Sequence, residues 1–286
     1  MNYDLYKTDS LISSFYEFDI IPRECDYKPI YNISKDIFLN RLRIIKNNRK
    51  QLSKIYKKKT IKQQSDEWFE IRKNMLTASE TLEYIRKTPS ILRKKQNKET
   101  NNFTSSATSW GNMFEPLAKQ IYCEMTKIHL SDIGFVIDDE LNFYGASPDG
   151  VTPNGTLVEF KCPISRPIVK DIIPEKYMAQ IQGQMAVCQL SECDYCEFSF
   201  KTIEEQEFLQ LKDTYCGIIV HLDTQNMYTH SCDEPYRSYL KTLNYKKKTY
   251  WKLDTFQIKR VEFDHDKWKS FYKKKIKDFW KLVNNK

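Results

Sequence analysis

The sequence predicts an α/β fold in which a mixed central β-sheet is flanked by helices. Short runs rich in β-branched and aromatic residues alternate along the chain with longer runs of helical periodicity. One pair of these strand-like runs is joined by a hairpin signal, whereas another pair is separated by a helix-length segment. With 40% hydrophobic and 14% aromatic residues, the chain of 286 residues has enough apolar side chains to build a core, which excludes global disorder.

Residues 1–62 are predicted to form a basic, largely helical N-terminal extension to a main domain at 63–286. The first 33 residues show no clear period and are interpreted as an irregular arm. Ser34 is a candidate cap for a helix that runs to about Tyr56. Its apolar positions recur at mostly helical spacing, at Phe38, Leu42, Ile45, Leu52 and Ile55.

The main domain begins with short helical signals. A helix is predicted to start at Ser65, because two acidic residues follow it, and another follows a break near Asn74. Residues 88–109 are polar and basic with little periodicity, which predicts a mobile loop, with a DNA-contacting role as the alternative. Residues 112–127 have helical periodicity.

The strands of the predicted sheet lie at about 133–138, 141–147, 155–161, 195–201 and 256–263. The turn-rich sequence PDGVTPNG joins the second and third of them and predicts a hairpin. Helices are expected at about 175–190 and, rich in lysine and aromatic residues, at 265–283.

Charge is distributed unevenly. The net charge of +8 divides into +7 for residues 1–62, −9 for 63–240 and +10 for 241–286. From Arg41 to Lys62 there are ten basic residues and no acidic one. Basic flanks suit a polyanion such as nucleic acid, because each phosphate contact releases condensed counterions. The alternative is that lysine-rich helix faces only keep the protein in solution.

The cysteines and the absence of export signals indicate an intracellular protein of the cytoplasm or nucleus, not a secreted one. No apolar run approaches the roughly 18 residues of a membrane span, and MNYDLYKTDS lacks the pattern of a secretory signal. We therefore interpret the eight cysteines as reduced thiols. Cys188, Cys193 and Cys196 are spaced C-x4-C-x2-C, but an iron–sulfur cluster needs a fourth thiolate, so structural cysteines are favoured.

The candidate chemistry is concentrated in the sequences SPDG at 147–150 and EFK at 159–161. A hairpin would bring Asp149 beside Glu159, and two carboxylates at that separation can hold a hard divalent cation. Alternation along the strand places Glu159 and Lys161 on one face, with Phe160 pointing away. A lysine there can orient an attacking water or stabilise charge on a phosphate. The alternative is an ordinary hairpin with surface charges.

Two further blocks supply polar groups of the right kind. Glu115 opens a predicted amphipathic helix and could be a third carboxylate, although an acidic residue also favours a helix N-terminus by itself. Gln180 and Gln184 lie four residues apart on one helix face, while Gln182 points elsewhere. Because a buried glutamine needs a partner, a metal-bound water or a phosphate would serve.

A third block is RKNMLTAS at 72–79. A guanidinium at Arg72, hydroxyls at Thr77 and Ser79 and a helix N-terminus together make an anion site. The alternative is a capped helix after an arginine of no special role.

In this order the blocks resemble the phage lambda exonuclease family, also called the YqaJ-type viral recombinase family, of the PD-(D/E)XK nuclease superfamily. The resemblance extends from about Gln64 to Phe200. It rests on Trp68, Arg72 with Thr77-Ala78-Ser79, Gly111 with Glu115-Pro116, Ser147-Pro148-Asp149-Gly150, Glu159-Phe160-Lys161-Cys162-Pro163 and Tyr177-Met178-Ala179-Gln180.

The resemblance implies a restriction-endonuclease-like core with a two-ion Mg²⁺ site, at which Mn²⁺ is an alternative. Asp149, Glu159 and the main-chain carbonyl of Phe160 would bind the metal, and Glu115 would add a ligand for the second ion. Lys161 would activate or orient the hydrolytic water. The active-site pocket would also contain Gln180.

Substrate and partners are likewise implied by the resemblance. Arg72, Thr77 and Ser79 would bind the 5′-phosphate of a double-stranded DNA end. The protein would be a 5′–3′ exonuclease of viral or phage-type DNA recombination, repair or replication, working with a single-strand annealing protein. The N-terminal extension and the 88–109 insertion depart from the family pattern. An endonuclease of the same superfamily and a non-catalytic DNA-binding protein on this scaffold are the alternatives.

Overall fold

A computed structural model describes the protein at residues 3–17, 20–28, 33–58, 60–97, 105–211, 215–223, 225–228 and 244–285. The helices are α1 (Tyr3–Glu17), α2 (Lys35–Tyr56), α3 (Asp66–Asn74), α4 (Thr81–Arg86), α5 (Pro89–Gln96), α6 (Ser106–Thr126), α7 (Glu175–Cys188), α8 (Glu205–Phe208) and α9, which runs through His265–Lys267, a π-helical turn at Trp268–Tyr272 and Lys273–Asn284. The strands are β1 (Leu76–Thr77), β2 (Val136–Ile137), β3 (Tyr144–Ala146), β4 (Gly150–Val151), β5 (Leu157–Lys161), β6 (Glu192–Ile203), β7 (Cys216–His221), β8 (Asn226–Tyr228) and β9 (Lys247–Glu262).

The described strands form a mixed six-stranded sheet and a separate small one. The large sheet has the order β4-β5-β6-β9-β7-β8, and the small sheet has the order β1-β3-β2. In the large sheet β5 and β6 run parallel, joined through α7, and the other pairs are antiparallel. The predicted α/β class with a mixed, helix-flanked sheet is therefore confirmed.

Helices cover both faces of the sheet, and strand alternation decides which side chains meet which helix. Phe114 of α6 packs with Val158 and Phe160 of β5 in one buried cluster. The side chains between them, Glu159 and Lys161, lie on the opposite face, toward α7. The alternation predicted for these three residues is present, and it puts two polar groups on the α7 side.

The N-terminal residues are more regular than the predicted arm, because α1 occupies 3–17. The sequence shows no helical pattern of apolar residues here, because several buried positions of α1 carry polar side chains, including Thr8, Asp9 and Ser13. Asp9 is tolerated there because it forms an ion pair with the buried Arg41 of α2. Helix α2 itself begins and ends where it was predicted.

The hairpin around the SPDG segment is shorter than predicted. The segment 141–147 contributes β3, which pairs with β1 and β2 and not with β5. The strand that pairs with β5 is β4, directly after Asp149. Pro148 separates β3 from β4, because it lacks the N–H that a continuous ladder requires. Asp149 nevertheless lies beside β5, as the sequence indicated.

The predicted loop at 88–109 is partly helical. Helix α5 starts with Pro89, and its buried face includes Lys95, which disguises the periodicity. Helix α6 begins at Ser106, so Glu115 lies in its middle and does not open it. Pro116 also lies inside the helix. Residues 98–104 lie outside the described residues.

The other predicted elements are present with shifted ends, whereas α8, β7 and β8 were not predicted from the sequence. Helix α7 and the basic, aromatic helix α9 are present at the predicted places, and β6 and β9 extend beyond the predicted strands. Of 133–138, only the two residues of β2 form a strand. No helix in the described part of the chain is long and apolar enough to cross a membrane.

Candidate active site

The β4–β5 hairpin holds Asp149 and Glu159 next to each other. The backbone N–H of Phe160 donates to Asp149 Oδ2 at 2.7 Å, which fixes that carboxylate at the end of β5. Glu159 is 1% exposed and forms an ion pair with the Lys161 ammonium. The predicted grouping of Asp149, Glu159 and Lys161 is therefore seen in the structure.

Helix α7 supplies the remaining partners of Glu159. The Gln180 amide donates to Glu159 Oε1 at 2.5 Å, and the Gln184 amide donates to Glu159 Oε2 at 2.6 Å. Gln182 points away, donating to the Glu262 carbonyl and accepting from the Asp264 N–H. The structure thus gives Gln180 and Gln184 a carboxylate partner where the sequence suggested a metal-bound water or a phosphate.

The electrostatics of the cluster show that it concentrates negative charge. Burial, together with the carboxylates of Glu159 and Glu115, raises the pKa of Asp149 well above its usual range. Burial alone would lower the pKa of Lys161, but Glu159 and Asp149 outweigh it and raise that pKa. Lys161 is therefore a cation at neutral pH and does not serve as a base in this state.

Glu115 approaches the cluster from α6. Its carboxylate forms an ion pair with Lys119 one turn later, at 3.0 Å, and it contributes to the electrostatic field at Asp149. Among the described residues, no three His, Cys, Asp or Glu side chains are arranged so that they could hold a metal ion. A metal ligand set here would thus include a group other than a side chain of these types, such as the predicted Phe160 carbonyl.

The predicted phosphate block runs from the end of α3 through β1 of the small sheet into the turn after it. The Arg72 guanidinium stacks on the Trp68 ring at 4.1 Å from its centroid, and the Trp68 indole N–H donates to Ser147 Oγ. Burial lowers the pKa of Arg72. Thr77 is 1% exposed, and its hydroxyl lies 3.2 Å from Ser79 Oγ, a position from which it orients that hydroxyl.

A pocket of about 440 Å³ opens beside Lys161 and connects the two blocks. Ser79, Lys161 and Gln180 all line it, whereas Arg72, Thr77 and Glu115 do not. Its other lining residues are Ala107, Thr108, Cys162, Pro163, Ile164, Arg166, Lys176 and Tyr177. Three cationic side chains in one pocket suit a phosphate-bearing ligand.

Three site residues were not assigned from the sequence. Gln184 was recognised as sharing a face with Gln180, and that spacing was the available signal. Lys119 follows Glu115 by four residues, the spacing of a helical ion pair. Arg166 pairs with Glu197 of β6 and has no local signal, because its partner is 31 residues away.

The seven described cysteines are free thiols. Burial raises the pKa values of Cys188, Cys193 and Cys196, so these side chains are neutral and act as small buried hydrophobes. The eighth cysteine, Cys232, lies outside the described residues.

Part of the chain is similar to known proteins. Residues 67–193 match the YqaJ-like viral recombinase domain. An uncharacterized protein of Acanthamoeba polyphaga mimivirus is 28% identical over 203 residues, which cover 63% of this chain and 35% of the viral protein. The chain therefore spans about a third of the length of that relative.

Two solved structures of the alkaline exonuclease LHK-Exo, from Laribacter hongkongensis, have a similar fold. The crystal structure in complex with dAMP has a TM-score of 0.51 at 20% identity, covering 77% of this chain and 92% of that one. The other structure has a TM-score of 0.50 with the same identity and coverage. The likeness to these two structures is a likeness of fold. The resemblance predicted from the motifs is confirmed, since residues 67–193 match the YqaJ-like viral recombinase domain.

Proposed function

We propose that this protein is a Mg²⁺-dependent exonuclease that hydrolyses the phosphodiester bonds of duplex DNA from the 5′ end. The observation that carries the proposal is the convergence of Asp149, Glu159 and Lys161 at the edge of the sheet, beside a cationic pocket that Ser79 also lines. Carboxylates and an ammonium group beside a pocket lined by cationic side chains are groups that phosphodiester hydrolysis uses.

The donor set suits hard divalent cations. Asp149, Glu159 and Glu115 are close enough for their charges to raise the pKa of Asp149, and a cation among them would relieve this repulsion. Asp149, Glu159 and the Phe160 carbonyl would hold one ion, and Glu115 would contribute to a second. When bound, the metal supplies Lewis acidity to the phosphate and a nucleophilic water.

The protein's own residues then position the reacting groups. Lys161 forms an ion pair with Glu159 and lines the pocket, so it would orient a water or balance negative charge that develops on the phosphate. Gln180 and Gln184 hold both oxygens of Glu159, which fixes the direction in which that carboxylate faces. The site is therefore preorganised by one strand and one helix.

The polarity is supported by the polar and cationic lining of the pocket. Ser79 presents a hydroxyl there, and Arg166 and Lys176 add positive charge, so a terminal 5′-phosphate would be favoured over a 5′-hydroxyl. Arg72 would join them if its guanidinium left the Trp68 ring. The match to a viral recombinase domain supports a place in viral recombination. We further propose a role in repair and a single-strand annealing protein as partner.

The test is a cleavage assay on linear duplexes that carry either a 5′-phosphate or a 5′-hydroxyl, with Mg²⁺ added or chelated. We expect faster loss of the phosphorylated duplex, no loss without the metal, and a rate about 10²–10³-fold lower for Lys161→Ala. An unaltered rate in that variant, or intact DNA with the wild type, would reject the proposal. A closed circular duplex nicked as fast as the linear one is degraded would identify an endonuclease instead.

A further inference from the structure

The solvent-facing side of α2 carries a straight row of cations that the proposed active site does not use. Intervals of three and four residues place them on one helix face, and the opposite face is buried through Leu42, Ile45 and Leu52. We call this row the α2 stripe. Its exposed members are Arg43, Lys46, Lys50, Lys54 and Lys57.

The α2 stripe lacks compensating charge. In the part of the chain that the structure describes, none of its members forms an ion pair, and Arg43 donates only to the Asn40 side chain. Like charges one turn apart, such as Lys46 and Lys50, repel each other and weaken a helix. A surface that served only solubility would intersperse both signs of charge. The stripe is therefore organised for an anion that the protein does not itself provide.

The second basic flank of the chain meets the first one at an acidic turn. Lys58, two residues after the end of α2, pairs with Asp139 at 2.5 Å, and Lys273 of α9 pairs with the next residue, Glu140. Lys277 also acts on Glu140. The turn neutralises one lysine of each basic segment and joins the two segments at one surface. Further exposed lysines of α9 are Lys274, Lys277 and Lys281.

We propose that the α2 stripe is a second DNA-binding surface, which holds the phosphate backbone of duplex DNA outside the active site. The choice of DNA rests on the proposed function. The stripe is about 21 Å long from Arg43 to Lys57, which matches about six base-pair steps of duplex. Sites for single strands add successive aromatic side chains, whereas every member of the stripe is a cation.

The location explains how the surface would assist an exonuclease. Helix α2 packs on the turn of the β4–β5 hairpin, where Arg49 donates to the Pro153 carbonyl, at the opposite end of the hairpin from Asp149. Duplex held there stays attached while its terminus is processed elsewhere on the domain. Sequence-independent phosphate contacts are suited to this, because they permit movement along the duplex.

The experiment measures equilibrium binding of the full-length protein to a 30-base-pair duplex in EDTA, over a series of salt concentrations. The stripe variant replaces four lysines by glutamine, at Lys46, Lys50, Lys54 and Lys57. The matched control variant replaces four exposed lysines elsewhere, at Lys7, Lys127, Lys170 and Lys247. We expect the slope of log affinity against log salt to fall by about 3–4 in the stripe variant, with affinity reduced at least tenfold, and by less than 1 in the control.

Equal slopes in the two variants would overturn the proposal. It would also be overturned if polyglutamate competed for the protein as well as unlabelled duplex does. A stripe variant with reduced affinity for single-stranded DNA and unchanged affinity for duplex would overturn it too. Since binding is measured without metal, it is separate from cleavage. A wild type that shows the expected binding but leaves DNA intact with Mg²⁺ would support the stripe and reject the proposed function. Circular dichroism of both variants confirms that neither is unfolded.

Discussion

Gln184 donates its side-chain amide to Glu159 Oε2 across 2.6 Å, in the interior of the protein and away from the open pocket. Gln180, one turn earlier on α7, holds the other oxygen of the same carboxylate. The plane of Glu159 is consequently set by two fixed donors of one helix. A carboxylate held in this way loses little orientational freedom when a cation binds, which is the usual contribution of groups behind a metal ligand.

Replacing Gln184 by methionine tests this relationship, because methionine has a similar length but cannot donate to Glu159. We expect the nuclease rate to fall by about 10–100-fold and the affinity for Mn²⁺ to weaken. Titration calorimetry and the cleavage assay measure the two effects.

The control is Gln182→Met, on the other face of the same helix, where the side chain binds the Glu262 and Asp264 backbone. This variant should lose stability while its metal affinity stays at the wild-type value. A Gln184→Met enzyme with the wild-type rate and metal affinity would contradict the role given to this glutamine.

Gly183, between those glutamines, lets α7 approach the small sheet. A Cβ added there would lie 2.1 Å from the Tyr144 hydroxyl oxygen, far inside van der Waals contact. Gly183→Ala should therefore destabilise the fold by about 1–3 kcal/mol, in spite of the better helix propensity of alanine. Urea denaturation measures this change.

The same clash predicts a rescue. Tyr144→Phe removes the hydroxyl oxygen. Its hydrogen-bond partner, the Thr81 hydroxyl, still donates to the Ala78 carbonyl in this variant. The double variant Gly183→Ala with Tyr144→Phe should be more stable than Gly183→Ala alone. Additive losses of stability would show that the helix is held apart by something other than this oxygen.

Part of the site could be predicted from the sequence, because the direction of side chains repeats at a short, regular interval along a strand or a helix. Glu159 and Lys161 share a face because strands alternate, and Gln180 and Gln184 share one because a helix repeats every 3.6 residues. These rules operate within one element, so they need no knowledge of the rest of the fold. The grouping around Glu159 was therefore expected before the structure, except that the glutamines contact the carboxylate directly.

Longer-range features could not be predicted, because they depend on partners far along the chain. Helix α1 was mistaken for an irregular arm, since Asp9 occupies a buried position that is acceptable only beside Arg41 and Arg260. Helix α5 was not predicted for a similar reason. Lys95 lies on its buried face, where its ammonium donates to the Met75 carbonyl. In both helices a buried charged residue with a polar partner occupies a position where helical periodicity predicts an apolar residue.

The buried ion network predicts a large cost for losing Arg41. Its guanidinium, 4% exposed, binds Asp9 and Glu192 together and thereby joins α1 and α2 to β6. Arg41→Met leaves those carboxylates with only part of their compensation, so the free energy of unfolding should fall by about 3–5 kcal/mol. Arg43→Met, on the exposed side of the same helix, should change it by less than about 0.5 kcal/mol. Similar urea midpoints for the two variants would show that the network contributes little to docking the N-terminal helices.

Glu80 predicts a specific dependence of stability on pH. Burial would raise the pKa of this carboxyl, but Lys95 and Lys94 outweigh burial and lower the pKa to about 2 from an ordinary 4.5. A lowered folded-state pKa means that the ionised group stabilises the fold above pH 4.5, and that this contribution is lost as the pH falls through 2. The shift corresponds to a contribution on the order of 3 kcal/mol at neutral pH.

Urea denaturation should therefore show Glu80→Gln less stable than the wild type at pH 7, with the difference shrinking steadily between pH 4.5 and 2. A difference that is constant over this range would mean that the carboxylate acts through shape and not through its charge.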